Sequence, residues 1–532
     1  MMNDNKNKVD HRSITLTTLS PIHIGCDEDY VPTNFVIEDD LLHYLDTAVL
    51  VDVLNDKQRR ELGACHTLDV IQRFFKSNRK VLAPLASHIV GVASEIAQAY
   101  ENRAGQSDNE NQFQIARTAY HPIDFSPYLP GSSLKGSIRT AWLDALNSGK
   151  PLQQMAEKSK ETNHALQQRL LEYTAGKFEN DPLRHLHISD AHHEEEPAPT
   201  HILYVISKKK RPSEHNTSKL PVILETIPGM LTDAFTGEIR IHLKDKNTLT
   251  WQQLCKACND FYLPQLQAEL DHVHLAGILD TQWKEAIKDL LNNELHELGK
   301  NCQGFLLRVG RHSGAESVTL NGVRDIKILG KKGSPLTFRS ETTEKRFASE
   351  SKQATGGLLP FGWLWVESCQ DEYQYLSIAV RDKLRPYTDT LRDAQRERLE
   401  QVEQARTTWL AAIRAGEQKR MEEEEALRRE EEVAKAKEAE LASMSENMRQ
   451  IALLRDEIDK RLAMGRKINV SDQFYGGTIK KLALHALENP DWSIEEKNEL
   501  AAMLEDRAGK LMNLDAKDLR KQLKLATLRG QA

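Results

Sequence analysis

The chain has 532 residues, a formal net charge of −7 at pH 7, 39% hydrophobic residues and 28% charged residues. At about 100–200 residues per domain it holds two to four domains, and its acidic balance excludes a uniformly basic nucleic-acid coat while leaving room for local basic strips. Six scattered cysteines exclude a disulfide framework, Met1 to Arg12 is polar, and no apolar run reaches the ~18 residues of a membrane span, so a cytoplasmic protein is expected.

Ser13 to Ser20 alternates and is rich in Thr and Ile, which reads as a strand ending in the bend Pro21-Ile-His-Ile-Gly25. Cys26 to Tyr30 reads as an acidic loop. Phe35 to Glu38 and Leu41 to Leu45 flank Asp39-Asp40 as a hairpin. Helices are expected over Thr47–Leu62, Thr67–Lys76 and Ala86–Glu101, followed by a surface loop to Asn111 and an extended stretch to His121.

The stretch Tyr128-Leu-Pro-Gly-Ser-Ser-Leu-Lys-Gly-Ser-Ile-Arg-Thr-Ala-Trp142 turns from loop to helix. Pro130 and Gly131 end the preceding strand, Ser132 and Ser133 suit a helix cap, and Leu134, Ile138, Ala141, Trp142 and Ala145 share one face. A helix N-terminus with Gly131, Gly136, Lys135 and Arg139 nearby has the make-up of a phosphate site, or of an ordinary loop capping a core helix. It is not a Walker loop, because Lys135 precedes Gly136.

Further on, Thr162–Ala175 reads as helix and His185–Asp190 as strand. Ile202–Ile206, Val222–Ile227 and Gly237–Leu243 are strands too, with a mobile basic loop at Lys208-Lys209-Lys210-Arg211. Trp251–His272 and Asp280–Glu297 are helical, and Cys255-Lys-Ala-Cys258 reads as two core cysteines, with zinc or redox use as the alternative. Gly304–Gly310 is a strand entering the loop Gly310-Arg-His-Ser-Gly314; Lys331-Lys-Gly333 is basic, and Gly362–Glu367 is a late strand. Strands interleaved with helices suggest α+β. Composition changes near Pro386. Glu417 to Glu440 is almost wholly Glu, Lys, Arg and Ala, a helix without an apolar seam that relies on i,i+4 pairs, and capped helices follow, with a capping box at Ser493 and Glu496 and a cap at Asp515.

Five motifs occur in a fixed order: Leu19-Ser-Pro-Ile-His-Ile-Gly25, Leu129-Pro-Gly-Ser-Ser-Leu-Lys-Gly-Ser-Ile-Arg-Thr140, Ile188-Ser-Asp190, Arg308-Val-Gly-Arg311 and Leu359-Pro-Phe-Gly-Trp363. This set resembles the RAMP superfamily of CRISPR-associated proteins, and more narrowly the RAMP subunit that caps the crRNA 3′ end in type III-A (Csm) effector complexes. The resemblance covers roughly Ser13 to Glu367. It implies tandem ferredoxin-like (RRM-type) domains; the tail after Pro386 lies outside it and reads from its own composition as an all-helical C-terminal extension. The expected divisions are 13–245 and 246–386 for the two ferredoxin-like parts, 387–464 for a charged helical arm and 465–532 for a small helical module.

The resemblance also implies a non-catalytic crRNA-binding subunit that supports crRNA maturation and target RNA binding in antiviral defence. Its partners would be crRNA, target RNA and other RAMP subunits, with no membrane and no cofactor or metal, and the tail helices would dock a neighbouring subunit or a recruited protein. Holding RNA of any sequence calls for amides and cations on phosphates. The chain offers Gly131, Ser132, Ser133, Lys135, Gly136 and Arg139 in one loop, Arg308, Arg311 and His312 in a second, and Lys208, Lys209, Lys210 and Arg211 in a third. His23 in the first bend is an RNA contact, a general base, or a group that hydrogen-bonds its own bend. The alternative function is a metal-dependent ribonuclease using Asp27 or Asp29. His187, Asp190, His192 and His193 are either solvated turn residues or metal ligands.

Overall fold

The computed structural model describes residues 8–46, 50, 54–106, 113–156, 159–173, 181–193, 198–211, 222–243, 249–328, 335, 337–369, 378–465 and 467–531. Lys331 to Gly333 lie outside them. The chain divides into two compact units, Met1–Trp409 and Leu410–Ala532.

The first unit is built on two sheets. In chain order its strands are β1 (Lys8–Thr18), β2 (Gly25–Tyr30), β3 (Phe35–Glu38), β4 (Leu41–Tyr44), β5 (His88–Val92), β6 (Ile115–Thr118), β7 (Gln154–Ala156), β8 (Ser159–Lys160), β9 (Leu186–Ile188), β10 (His201–Lys209), β11 (Val222–Thr226), β12 (Leu231–Leu243), β13 (Gly304–Arg308), β14 (Ile326–Ile328), β15 (Thr337–Arg339), β16 (Glu344–Ser349), β17 (Leu359–Pro360) and β18 (Trp363–Cys369). β7 with β8 and β14 with β15 form separate two-stranded ribbons.

The first sheet has the order β13-β18-β1-β12-β9, all antiparallel. Two helices connect its strands: α1 (Gly131–Asn147) before β9 and α2 (Trp251–Leu270) before β13. The path β1-α1-β9-β12-α2-β13 is therefore βαββαβ, with β18 inserted between β13 and β1. Ile14 and Leu16 of β1, Leu134 and Ile138 of α1, Phe261 and Leu266 of α2, and Leu306 and Trp365 share one buried core. Burial of that apolar surface, at roughly 25 cal/mol per Å², is what fixes the helices to one face.

The second sheet runs β2-β6-β11-β10-β5-β4-β3, with β16 on β10 and β17 on β16. β10 with β5 and β11 with β6 are parallel. Tyr30, Phe35, Val90, Ile96, Tyr100, Ile202 and Leu224 form its core.

The α+β class and the helical C-terminal region agree with the sequence. The linear division at 245 does not follow the sheets: β13 and β18 belong to the sheet of β1, and β16 and β17 to that of β10. Ala86–Glu101 is not one helix but β5 followed by a helix at Ser94–Arg103, because Ile89, Val90 and Val92 enter the second sheet and bury there. Cys26–Tyr30 is not a loop but the bulged edge strand β2, with Asp27 at φ 59°.

The helix α3 (Ile378–Ser443) passes through Pro386 without ending. Within the first unit Val380, Leu384 and Thr388 are buried, and Thr388 Oγ1 donates to Met230 O at 3.0 Å and accepts from Thr232 N–H at 3.1 Å.

In the second unit, Glu417 to Glu440 is exposed at every position, with pairs such as Arg428–Glu424 at 2.8 Å and Arg429–Glu425 at 2.6 Å. The helices α4 (Glu446–Ala463), α5 (Lys480–Glu488) and α6 (Ile494–Met503) bury Ile451, Ile458, Ala483, Leu500 and Met503 in a core of their own. Ser493 and Glu496 complete the capping box at α6, whereas Asp515 makes no side-chain cap bond. Among the described residues no helix is long and apolar enough to cross a membrane.

Candidate nucleic-acid interface

The glycine-rich stretch does begin a helix. Leu129 forms an isolated antiparallel bridge with Ala191, exchanging bonds of 3.0 and 2.9 Å, and α1 starts two residues later. Gly131 sits where the backbone of Ile188 and Ser189 crosses. A Cβ there would lie 2.4 Å from Ile188 O and 2.6 Å from Ser189 O, so no other residue fits without displacing the chain. Gly131 N–H donates to Asp190 Oδ1 at 2.7 Å. The first amide of the helix N-terminus, on the buried Gly131, is thus already taken by a carboxylate. Ser132 and Gly136 are exposed, and a Cβ at Gly136 would meet nothing within 4 Å.

Both cations of this helix have partners in the protein. Lys135 Nζ donates to Leu186 O at 2.7 Å, and burial pulls its pKa below the ordinary lysine value. Arg139 pairs with Asp181 at 3.1 Å and donates to Gln167 Oε1 at 3.0 Å. They tie α1 to the chain between Asp181 and Asp190 instead of standing free beside Ser132 and Ser133 as the sequence suggested.

The second loop splits into a buried and an exposed half. Arg308 is 3% exposed; it pairs with Glu269 at 3.1 Å, donates from Nε to Phe361 O at 2.9 Å and lies 4.5 Å over the Trp363 ring. Lys345 Nζ reaches the same Glu269 carboxylate at 2.6 Å. Burial alone would raise the Glu269 pKa, but Arg308 and Lys345 hold it below the usual value; burial in turn draws Lys345 down to about 8. Arg308 is a core ion-pair residue and cannot reach RNA.

Arg311 is exposed, and its backbone N–H donates to His23 O at 2.8 Å. Gly310, at φ 77°, passes so close that a Cβ would lie 2.4 Å from His23 O. The first-bend motif and the Arg308–Arg311 motif therefore meet in space.

His23 itself is fully buried. Its Nδ1 donates to Glu225 O at 2.7 Å, and burial, against that bond, keeps the ring neutral. The partner is the neighbouring strand, not its own bend, and the side chain is closed to RNA. His312 sits at φ 70° and accepts at Nδ1 from Arg346 at 3.2 Å. Burial and the cations Arg346 and Arg311 hold its pKa at about 3, so it adds no positive charge.

The third basic segment is not a mobile loop. Lys208 and Lys209 belong to β10, opposite Lys345 and Glu344 of β16. Lys208 Nζ donates to Ala354 O at 2.7 Å, Lys209 pairs with Glu344, and Lys210 pairs with Glu316 at 2.7 Å. Lysine stems cover the sheet while their heads find carboxylates and a carbonyl. Arg211 is exposed.

Asp27, Glu28 and Asp29 are exposed on β2, with Glu28 hydrogen-bonded to Tyr120 Oη. Among the described residues no group of three or more His, Cys, Asp or Glu side chains is arranged to hold a metal ion. That covers Asp27, Glu28 and Asp29 as a group, and His187, Asp190, His192 and His193.

Sequence reasoning missed an aromatic assembly just before the glycine-rich helix. Arg117 is buried, 3.3 Å over Tyr120 and 4.8 Å over Tyr30. Phe125 stacks on Tyr120 at 6.0 Å and on His88 at 5.6 Å. His121, Tyr128 and His192 form a second group, with centroids 4.9 to 5.7 Å apart. The signal was the ring-rich run Tyr120-His-Pro-Ile-Asp-Phe-Ser-Pro-Tyr128, of which only Tyr120 and His121 fell in the expected extended stretch and Tyr128 in the loop before the helix.

The family model of the RAMP superfamily matches residues 15–299, more than half of the chain. The chain belongs to the RAMP superfamily. Within that family it is 28% identical over 143 residues to the CRISPR system Cms protein Csm5 of Streptococcus thermophilus, a stretch that is 25% of this chain and 38% of that protein. It is 29% identical over 136 residues to the CRISPR system Cms protein Csm5 of Methanocaldococcus jannaschii, 24% of this chain and 28% of that one. The matches thus span well under two thirds of either relative. Similar solved structures include a chain of a Csm–crRNA–target RNA ternary complex of a type III-A CRISPR–Cas system, at 18% identity and TM-score 0.41 over 68% of this chain and 100% of that one. The crystal structure of T. onnurineus Csm5 is similar at 18% identity and TM-score 0.41, over 66% of this chain and 99% of that chain.

Proposed function

We propose that the chain is a non-catalytic, crRNA-binding subunit of a type III-A CRISPR effector complex, on the crRNA 3′-end side, supporting crRNA maturation and target RNA binding. The observation that carries this reading is the identity to two Csm5 proteins of CRISPR systems. The surface supports it through the exposed Ser132 and Gly136 at the start of α1 and the exposed Arg311 and Arg211. Amides, hydroxyls and a few cations suit the phosphate backbone and carry no base code. Its partners are then crRNA, target RNA and other RAMP subunits, and the unit Leu410–Ala532 is a docking module for a neighbouring subunit or a recruited protein.

The non-catalytic part of the reading rests on Asp27 and Asp29 standing exposed on a strand where, among the described residues, no group of three or more carboxylates, histidines or cysteines is arranged to hold a metal ion. The test is incubation of the assembled particle with labelled target RNA and Mg²⁺. Asp27→Ala and Asp29→Ala particles should cut target as the parent does. Loss of one terminal cut by either variant, with normal assembly, would assign the ribonuclease activity to this chain.

A further inference from the structure

The group His121, Tyr128 and His192 has a specific geometry. Leu129 pairs with Ala191 as an antiparallel bridge, so Tyr128 lies across from His192 and Pro130 across from Asp190. Side chains alternate across such a pair. Leu129 and Ala191 are buried in the core, whereas Tyr128 and His192 stand half-exposed on the other face. Their rings are stacked at 5.6 Å and 24°. His121 closes the group, 4.9 Å from His192 and 5.7 Å from Tyr128, and is itself half-exposed.

Tyr128 packs partly against the main core, and backbone hydrogen bonds hold the loop that carries the rings. His121 N–H donates to Ser126 O at 2.8 Å, Phe125 N–H to His121 O at 2.8 Å, and Tyr128 N–H to Ala119 O at 3.2 Å. His192 N–H donates to Thr236 O at 2.9 Å, with the reverse bond at 2.7 Å. The apolar demand of this hairpin is met on its other side by Phe125, between Tyr120 and His88. The group is not arranged to hold a metal ion. What remains is a preorganised, partly exposed group of three rings, Tyr128 and His192 stacked and His121 tilted against both, with Tyr128 three residues ahead of the start of α1.

We infer that His121, Tyr128 and His192 form a stacking platform for one unpaired nucleobase of single-stranded RNA, next to the glycine-rich helix start. Every base has a π-face, so such a platform adds affinity without selecting sequence. This inference rests on the RNA-binding reading above and adds to it the place where a base, rather than a phosphate, is held.

The experiment uses the full-length chain and a set of single-stranded RNA oligomers, each carrying 2-aminopurine at a different position. The parent protein should quench 2-aminopurine strongly at one position of the bound oligomer. Tyr128→Ala with His192→Ala should lose that quench and weaken binding by roughly 5- to 100-fold, as expected for one base–ring stack. Its salt dependence should stay as in the parent, because no phosphate contact is lost. Tyr128→Phe with His192→Phe, which keeps the rings, should retain both the quench and the affinity. An alanine pair that binds and quenches like the parent overturns the platform and leaves RNA binding standing. Equal loss of binding in both pairs, with a lowered melting temperature, assigns the rings to packing and also overturns it. A parent chain that binds none of the oligomers overturns the RNA-binding reading and the platform together.

Discussion

Asp190 Oδ1 accepts the backbone N–H of Gly131 at 2.7 Å, so a carboxylate of the protein occupies the N-terminus of the glycine-rich helix. This one bond changes what the helix start offers an incoming anion. A carboxylate there stabilises the helix through its dipole, by about 0.3–1 kcal/mol, and repels a second anion. Asp190→Asn keeps an acceptor and removes the charge. It should lower stability by about that amount and tighten RNA binding a few-fold at low salt. Thermal melting and a salt-titrated binding curve check both. Weaker binding with unchanged melting would make Asp190 itself an RNA contact.

The two glycines of this motif should respond in opposite directions. Gly131→Ala drives a Cβ to within 2.4 Å of a backbone oxygen and should destabilise the fold by several kcal/mol. Gly136→Ala meets nothing within 4 Å inside the helix and should stabilise it by up to about 1 kcal/mol. Chemical denaturation of the two variants decides this. If Gly136→Ala is stabilised yet binds RNA less well, the bare backbone at Gly136 is a point of close approach for the RNA.

Lys210 and Glu316 set an acid limit on stability. Burial would raise the Glu316 pKa, but the bonds from Lys210 and Thr342 bring it down to about 2 from an ordinary value of 4.5. A depressed carboxyl pKa stabilises the fold fully above the unfolded value and loses that effect as pH falls through the folded one. The contribution is therefore complete above about pH 4.5 and disappears on the way to about pH 2. Glu316→Gln should lower stability at neutral pH and flatten the pH dependence between those limits. A parallel loss at every pH would show that Glu316 contributes by packing alone.

The composition break at Pro386 suggested that a chain ending there keeps a folded core, and the structure moves that point. Thr388 bonds to Met230 and Thr232, Tyr387 and Leu391 pack on the core, and Arg381 pairs with Asp233 at 3.1 Å. A chain ending at Trp409 should melt as the parent's first unit does. One ending at Pro386 loses the three buried hydrogen bonds of Thr388, at about 0.5–1.5 kcal/mol each, and the Tyr387 and Leu391 contacts, so it should melt several degrees lower. Equal melting of the two chains would return the boundary to Pro386. Protease should cut the full chain within Glu417 to Glu440, where every side chain is exposed.

The parts of this fold that sequence disclosed are those with a strong local pattern. Ser13–Ser20 alternates and its first six residues fall in β1, which begins earlier at Lys8; Leu134, Ile138 and Ala141 share a face and lie on α1; Ser493 and Glu496 form the capping box they spell. The misses have two physical causes. Ile89 to Val92 became a strand because the second sheet supplied partners on both sides, which local pattern cannot reveal. Charge was also taken as a sign of exposure. Arg308 is buried because Glu269 and the Trp363 ring receive it, and Lys208 to Lys210 line a sheet because Ala354, Glu344 and Glu316 take their heads. His23 was read against its own bend, while its partner, Glu225 O, is 202 residues away in the chain. The candidate interface was thus legible as a motif, but which of its side chains remain available was decided by tertiary contacts.

The most direct test of the account is ultraviolet crosslinking of crRNA to this chain in the purified effector complex, with the crosslinked nucleotides and peptides both mapped. Crosslinks are expected from the 3′ part of the crRNA to the first unit, including the residues Ser132 and Arg311, and none at the residues Arg308 or His23. A complex in which this chain takes no crRNA crosslink, while its removal leaves crRNA length and retention unchanged, would contradict the central claim.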